Sequence, residues 1–521
     1  MRSVYISNDL ISLVEYQPCD DRALYECWLD PEVKEGYNGY TPAGSFEEFQ
    51  QGNQKRLEDY INGETKELFF AMVRCNRTGE LVGALGISPP GTEPDLSIRI
   101  FAPYRRQGYG TSAFALVAKY ATEVLRIKEL HAGAYPDNIG SQKMLRRCGF
   151  VPVAECPPEK HYLTEEDVIQ MDYVYRPVHT VHIPLGARAY NVHIGTGLLE
   201  KSGTLIAEAL HPTRVLLVVD SNLAKYAYAA LLMRSLKSQG IACSLFTFPA
   251  GEASKSLYIY GEILEACIGS SLCSGDALIA LGGGVTGDLT GFAAATYRRG
   301  ISFVQIPTTL LAAVDSSVGG KAGVNLPTGK NLAGAFWQPG LVITDISTFD
   351  TLPPEEYANG MAECLKHGLL FDEKLFAALE QGRGITKAQI ARNVELKRDL
   401  VLADERDAGA RRLLNLGHTL GHAIEQVSGY EIPHGAAVGL GMVMMARAFC
   451  PAIADRLCAA LEKNHLPTRC EYPVRELFAA LEQDKKRAGG EITIVVPLEI
   501  GRCELRTLPM EEFKRLLEER L

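Results

Sequence analysis

Three groups of residues in this sequence have the types and the spacing to do chemistry. The first is Glu363, His418, His422 and His434. His418 and His422 stand at i and i+4 of NLGHTLGH, so they share a helix face. Pro433-His434-Gly435 follows. The chain has only 11 histidines, so three between positions 418 and 434 form a concentration. An acid such as Glu363 would complete three protein ligands and leave a metal such as Zn²⁺ an open position for substrate. His418 and His422 could instead ligate as a pair, as on zincin helices. Thr419 stands where a zincin carries Glu, which disfavours protease chemistry. Helix-face histidines with no metal are the plain alternative.

The second group is Gly282-Gly283-Gly284-Val285-Thr286-Gly287-Asp288, after the apolar run ALIAL. Gly282, Gly284 and Gly287 fit G-x-G-x-x-G, which brings backbone N–H groups close to a pyrophosphate. The usual form of that motif has an acid at the end of the next strand. Here the next strand-like run, 301–306, ends at Pro307. Asp220 ends an earlier run, VLLVVD, and could serve a ribose hydroxyl. The spacing therefore points to an α/β dinucleotide site of a different kind.

The third group is Arg105-Arg106-Gln107-Gly108-Tyr109-Gly110-Thr111, between a strand-like and a helix-like run. Glycines there open the backbone to an anion, and the helix start adds partial positive charge. An ordinary strand-to-helix turn is the alternative. Asn138 and Ser141 follow about 30 residues later, and Ser141 reads equally as a helix cap. Asp95, ahead of the loop, is a candidate proton acceptor, although a solvated strand end is the plainer reading.

The elements that must position these residues change character along the chain. Residues 68–73 and 81–87 read as strands joined by a turn at 76–79, and 96–101 alternates as a half-buried strand does. A helix over about 110–125, a strand over 130–134 and a helix over 141–148 follow. Beyond 177, the runs 215–220 and 277–281 are continuously apolar, as buried parallel strands are. From Pro353 on, helical periodicity dominates. The expected parts are 1–177, 178–350 and 351–521.

The composition sets outer limits. The chain has 521 residues, 46% hydrophobic and 22% charged, so it can bury several cores. Its net charge of −10 argues against a broad grip on nucleic acid or anionic lipid. No apolar run is long enough for a transmembrane helix, and Asp9 and Glu15 interrupt any leader-like segment. The 13 cysteines form no C-x-x-C pair, which suits reduced thiols in a cytoplasm.

Two resemblances sharpen this reading. Arg105–Thr111, with Asn138-Ile139-Gly140-Ser141 and the later Gly149-Phe150, resembles the GCN5-related N-acetyltransferase (GNAT) family, in the branch that acetylates protein N-termini or small amines. The resemblance implies an α+β fold over about 1–177. It also implies acetyl-CoA as cosubstrate, with its pyrophosphate on Arg105, Arg106, Gln107, Gly108, Tyr109, Gly110 and Thr111 and its pantetheine arm at Asn138. The acceptor is open, and so is a purely regulatory CoA-binding role.

The run DLTGFAAATYRRGISFVQIPTTLLAAVDSSVGGKAGVNLPTGKNLAGAFWQP resembles 3-dehydroquinate synthase, as do VVDSN, GEASK, AECLKHG, NLGHTLGH, PHG and DKKRAGGEITIVVPLEIG in the same order. That family converts 3-deoxy-arabino-heptulosonate 7-phosphate to 3-dehydroquinate with loss of phosphate, as part of the shikimate pathway. The resemblance implies an α/β NAD-binding domain, an all-helical metal-binding domain, NAD, and one divalent metal, Zn²⁺ or Co²⁺, on Glu363, His418 and His434. His422 then belongs to the substrate pocket. Asp220, Asn222, Glu252, Lys255, Gly283, Gly284, Asp288, Thr308, Thr309, Lys330 and Thr348 match NAD-binding positions. Asp315, Lys321, Asn331, Lys366, Lys397, Arg411, Asn415 and Lys485 match positions around the substrate. Arg299 matches an arginine that reaches the neighbouring subunit's site, so a homodimer is implied. Ala436 stands where the family often has Glu, which suggests that a carboxylate supporting the metal is missing. Ala322 replaces a Thr of GGKTG at the cost of one hydrogen bond. A cyclase for another sugar phosphate and a polyol dehydrogenase are the competing readings.

Overall fold

The computed structural model describes residues 2–37, 42, 44–61, 69–88, 94–125, 127, 129–161, 164–407, 409–485 and 490–521. Two compact units result, Met1–Pro177 and Val178–Leu521.

In the first unit, the strand Phe69–Cys75 is apolar on both faces because a core lies on each side of it. Along Phe69–Cys75, Ala71 and Val73 pack with Phe114 and Val117, while Met72 packs with Leu24 and Val33 on the other face. Leu68, expected to open this strand, lies outside the described residues. Eight strands form the sheet in the order Val4–Ser7, Ile11–Val14, Phe69–Cys75, Leu81–Ser88, Asp95–Ile100, His131–Ala134, Met171–Tyr175, Phe150–Glu155. All neighbours are antiparallel except Asp95–Ile100 and His131–Ala134. Those two run parallel and are in register at a single pair, Asp95 with His131. Helices Tyr109–Glu123 and Ile139–Arg147 cover one core, and Asp21–Leu29 and Pro31–Gly36 the other.

The second unit opens on a seven-stranded sheet. Its order is His179–Ile183, Tyr190–Gly195, Leu341–Asp345, Ser302–Pro307, Ala277–Gly282, Arg214–Asp220, Ala242–Phe248. Only the first pair is antiparallel. Ala277–Gly282 is buried on both faces, which is why it reads as an unbroken apolar run. Leu217, Ile279 and Ile306 fill one core, and Leu216, Leu278 and Phe303 the other.

Helices dominate after Pro353, but residues 351–521 are not all helical as expected. Glu491–Glu499 and Arg502–Pro509 pair as an antiparallel hairpin. The segment EITIVV is rich in β-branched residues, whose stiff side chains favour a strand. Ile492, Ile494 and Val496 on its inner face pack against Phe513 and Leu517. Among the described residues, no helix is long and apolar enough to cross a membrane.

Candidate active sites

Helix Pro354–Phe371 is buried from Ala358 to Leu370, so Glu363 and Lys366 are core residues one turn apart. His418 and His434 each open a helix, His418–Val427 and His434–Phe449. Both imidazoles aim Nε2 at the carboxylate of Glu363, at 3.5 Å and 3.7 Å from Oε1. Their Nδ1 atoms face acceptors: Leu416 O at 3.2 Å for His418 and Glu425 Oε2 at 3.3 Å for His434. An Nδ1–H donated to those oxygens leaves Nε2 with its lone pair, the tautomer a metal needs. Lys366 makes an ion pair with Glu363, yet neither carboxylate oxygen accepts a hydrogen bond. A buried carboxylate in that state keeps lone pairs free for a further positive partner. One oxygen and two imidazole nitrogens within 4.8 Å of one another form a ligand set that fits Zn²⁺ or Co²⁺.

Electrostatics favour a charged Glu363 and a neutral His418 but a protonated His434. Burial opposes charge on Glu363, but Lys366, His418 and His434 together hold it well below the usual carboxylate range. His418 is pushed down to about 3 by burial and by Lys366. His434 is drawn up to about 9 against its burial, by Glu363 and Glu425, so a metal ion would displace a proton there. Position 436 offers no carboxylate, but Glu425 stands behind His434 and also meets Lys330 Nζ at 3.3 Å. Sequence reasoning missed Glu425, although its place three residues after His422 on the same helix carries the signal. His422 is exposed, its ring centre 5.6 Å from His418 and 6.0 Å from His434.

The expected substrate residues divide into pairs. Lys397 donates to Asp315 Oδ1 at 2.6 Å; burial pushes Lys397 down to about 8, while Lys397 holds Asp315 low despite burial. Arg411 is buried and donates to Gly319 O and Glu405 O. Lys321 pairs with Asp407. Asn331 accepts from Lys255, which also pairs with Asp288. Asn415 is exposed at the end of the turn Ala410–Asn415. The side chain of Lys485 lies outside the described residues. Arg298 and Arg299 adopt positive φ in succession, 49° and 65°, and Arg299 is exposed.

The expected dinucleotide residues follow the carboxyl ends of parallel strands, where ligands of open α/β sheets bind, except Lys330, which lies on the antiparallel hairpin strand Gly329–Phe336. Asp220 ends Arg214–Asp220, directly beside Ala277–Gly282. An acid thus stands beside the glycine loop although none follows residue 306. Thr286 donates to Asp220 Oδ2 at 3.3 Å. Gly283 caps the helix Gly284–Thr296. A Cβ on Gly284 would lie 3.5 Å from Ser316 Oγ, a buried hydroxyl with no hydrogen-bond partner. This glycine cradle with an unmatched hydroxyl fits a bound phosphate group. Thr308 follows Ser302–Pro307, and Thr309 Oγ1 accepts from Ala312 N. Asn222 N bonds Asp220, Glu252 accepts from Asn325, and the Thr348 hydroxyl donates to Asp345 O.

In the first unit, Asp95–Ile100 and His131–Ala134 part after their single shared pair, and a cavity of about 440 Å³ lies against both strands. Gly108 takes φ 87° and starts the helix Tyr109–Glu123, so the first N–H groups of that helix follow a residue type that accepts the left-handed turn. Arg105 is held to Asp30 at 2.9 Å, to Glu32 at 3.1 Å and to Ile100 O at 3.0 Å; it braces the loop. Arg106, also at positive φ, lies 3.7 Å from Glu32. Asn138 caps the helix Ile139–Arg147 by accepting from Ser141 N, so the cap is Asn138, with Ser141 on its receiving end. Asp95 is half-buried, pushed up to about 7 by burial and by Asp172, with His131 opposing. His131 Nδ1 lies 3.0 Å from Asp172.

Residues 245–359 match the 3-dehydroquinate synthase N-terminal family and residues 360–487 the 3-dehydroquinate synthase C-terminal family. Residues 11–151 match the acetyltransferase (GNAT) domain. The 3-dehydroquinate synthase of Caulobacter vibrioides is 43% identical over 347 residues, which cover 62% of this chain and 94% of its own length. That of Streptococcus suis is 40% identical over 354 residues, covering 65% and 99%. Among solved structures, a 2-epi-5-epi-valiolone synthase from Streptomyces hygroscopicus with NAD⁺ and Zn²⁺ bound superposes with a TM-score of 0.57 at 27% identity, over 64% of this chain and 97% of its own. A 2-deoxy-scyllo-inosose synthase shares the fold, with a TM-score of 0.60 at 24% identity, over 66% and 100%.

Proposed function

The chain belongs to the 3-dehydroquinate synthase family and carries an acetyltransferase (GNAT) domain ahead of it, and from that premise we propose how each unit works. In Val178–Leu521, Glu363, His418 and His434 hold one divalent metal, and the loops after the parallel strands hold NAD. The observation that carries this reading is the buried Glu363 carboxylate, which accepts no hydrogen bond and faces two imidazole nitrogens. Bound there, the two groups supply Lewis acidity and a hydride acceptor that is regenerated in each cycle.

The remaining work falls to side chains. The substrate, 3-deoxy-arabino-heptulosonate 7-phosphate, carries a carboxylate and a phosphate. Lys321, Lys397, Arg411 and Lys485 meet those anions, and Asn331 and Asn415 orient its hydroxyls. Lys366 balances the charge of Glu363 beneath the site. Asp315 fixes Lys397, whose lowered affinity for its proton lets it shuttle one at the substrate. His422 exchanges protons with a substrate hydroxyl. Asp220, Asn222, Glu252, Lys255, Gly283, Gly284, Asp288, Thr308, Thr309, Lys330 and Thr348 shape the cofactor cleft. Arg299 reaches the site of a second copy, so the working form is a homodimer. Residues 178–350 and 351–521 divide the cofactor and metal roles between them.

In Met1–Pro177, acetyl-CoA lies in the opening between Asp95–Ile100 and His131–Ala134. Its pyrophosphate meets the backbone of Arg105–Thr111, and Asn138 borders its pantetheine arm. The protein acts in the cytoplasm, in the shikimate pathway. Purified protein with the heptulosonate phosphate, NAD and Zn²⁺ or Co²⁺ should release phosphate without net NADH. Stoichiometric NADH would favour a polyol dehydrogenase, and phosphate release only from another sugar phosphate would replace the substrate.

A further inference from the structure

The cavity of the first unit is lined by five charged residues. Three of them are committed. Arg105 and Glu32 pair with each other, and Glu159 accepts from the Tyr135 hydroxyl at 3.4 Å. The other two, Asp95 and Arg99, make no hydrogen bond or ion pair among the described residues. Asp95, Ser97 and Arg99 alternate along one strand, so they share one face of it. Leu96, Ile98 and Ile100 take the opposite face and pack into the core beneath Tyr109–Glu123.

Arg99 is held without a carboxylate. Its guanidinium lies over Trp28, 4.3 Å from the ring centre, and 5.5 Å from that of Tyr37. Two aromatic rings orient a planar cation while leaving its edge open. The Nε of Arg99 is buried and donates to nothing. A buried donor in that state wants an acceptor from outside the protein. The rings belong to Asp21–Leu29 and to the residue after Pro31–Gly36, so the cation faces the helical side of the cavity. Asp95, four residues back along the strand, is a separation of roughly 13 Å between Cα atoms. The long Arg99 side chain shortens the gap between the charged groups.

We infer that the acetyl acceptor is a small amine that also carries an anion, with its nitrogen at Asp95 and its carboxylate or phosphate at Arg99. The inference rests on acetyl-CoA occupying this cavity, as proposed above. An ammonium group first gives a proton to Asp95, which passes it to solvent. The free amine then attacks the thioester carbon; the N–C bond forms and the C–S bond breaks. The second nitrogen proton goes to the departing thiolate, so the products are the amide and CoA thiol. His131, fixed against Asp172, borders Asp95 where the two strands meet and is a positioning residue.

The test uses the full chain. Calorimetry first measures acetyl-CoA binding; no binding would overturn both the cofactor reading and this inference. Thiol release is then compared for 6-aminohexanoate, 6-aminohexyl phosphate and hexylamine. The two anionic amines should exceed hexylamine in kcat/KM by on the order of tenfold or more, the worth of one charge-assisted contact; their ratio to each other identifies carboxylate or phosphate. In Arg99→Gln that preference should vanish, through KM for the anionic amines. Asp95→Asn should lower kcat for every acceptor by on the order of a hundredfold. Acetyl-CoA binding with hexylamine used as well as the anionic amines, or with none of the three acetylated, overturns the inference alone. So does an unchanged preference in a folded Arg99→Gln.

Discussion

Glu363 is the residue on which the metal site turns, because it is fully buried and charged beside a buried cation. Glu363→Gln should cost the metal its only carboxylate and reduce phosphate release on the order of a thousandfold. It also strands Lys366, and a buried charge without its partner costs about 3–5 kcal/mol. Metal content by mass spectrometry and the unfolding midpoint check the two effects separately; normal metal content would sink the assignment. Glu425→Ala should be milder, weakening metal affinity by about 10–100-fold, because it removes only the acceptor that orients His434. In the first unit, Asp95 accepts a proton only when ionised. The charged and titratable groups around it are His131 and Asp172 on the next two strands of the sheet, Cys156 beyond them, and Tyr37 across the cavity. Burial and Asp172 push Asp95 up to about 7, so acetyl transfer should rise with pH up to that point and level off above it. A profile flat between about pH 5 and pH 9 would remove Asp95 from the chemistry.

Elements bring these residues together through close backbone contacts. The helices His418–Val427 and His434–Phe449 pack so tightly that a Cβ on Gly441 would meet Gly417 O at 2.1 Å. Gly417 immediately precedes His418, so the ligand's own backbone would have to move. Gly441→Ala should therefore act twice: overpacking costs about 1–3 kcal/mol, and His418 shifts away from Glu363. Thermal unfolding and metal titration on the same preparation check this. Unchanged metal affinity would mean that the contact positions nothing. The parallel strands work differently. They carry Asp220, Gly283 and Thr308 to one edge of the sheet with no contact among the side chains being required.

At the scale of the molecule, the two units have separate cores, two within Met1–Pro177 and the others within Val178–Leu521. A chain of Val178–Leu521 alone should fold and release phosphate at a rate within about twofold of the full chain, since its proposed site draws on no residue of the first unit. Loss of activity from that folded fragment would show that the two units depend on each other.

Local order was readable in the sequence because periodicity and glycine spacing are local properties. The run ALIAL predicts a strand buried on both faces, GGGVTGD predicts a helix start, and the histidines at i and i+4 predict a shared face. The resemblance over residues 184–521 named the remaining site residues. Tertiary structure decided whatever depends on distances between elements far apart in sequence. It set Asp220 beside Gly282 across 62 positions, because sheet order and chain order differ. It placed Glu425 behind His434, because the helix that opens at His434 packs back along the one that carries Glu425. Arg105 pairs with Asp30 and Glu32, more than 70 positions away, because the fold brings their carboxylates within reach. Residues 491–509 became a hairpin within a helical region, because β-branched side chains found an apolar face to cover. Sequence specifies the groups and their local geometry; packing specifies which of them meet.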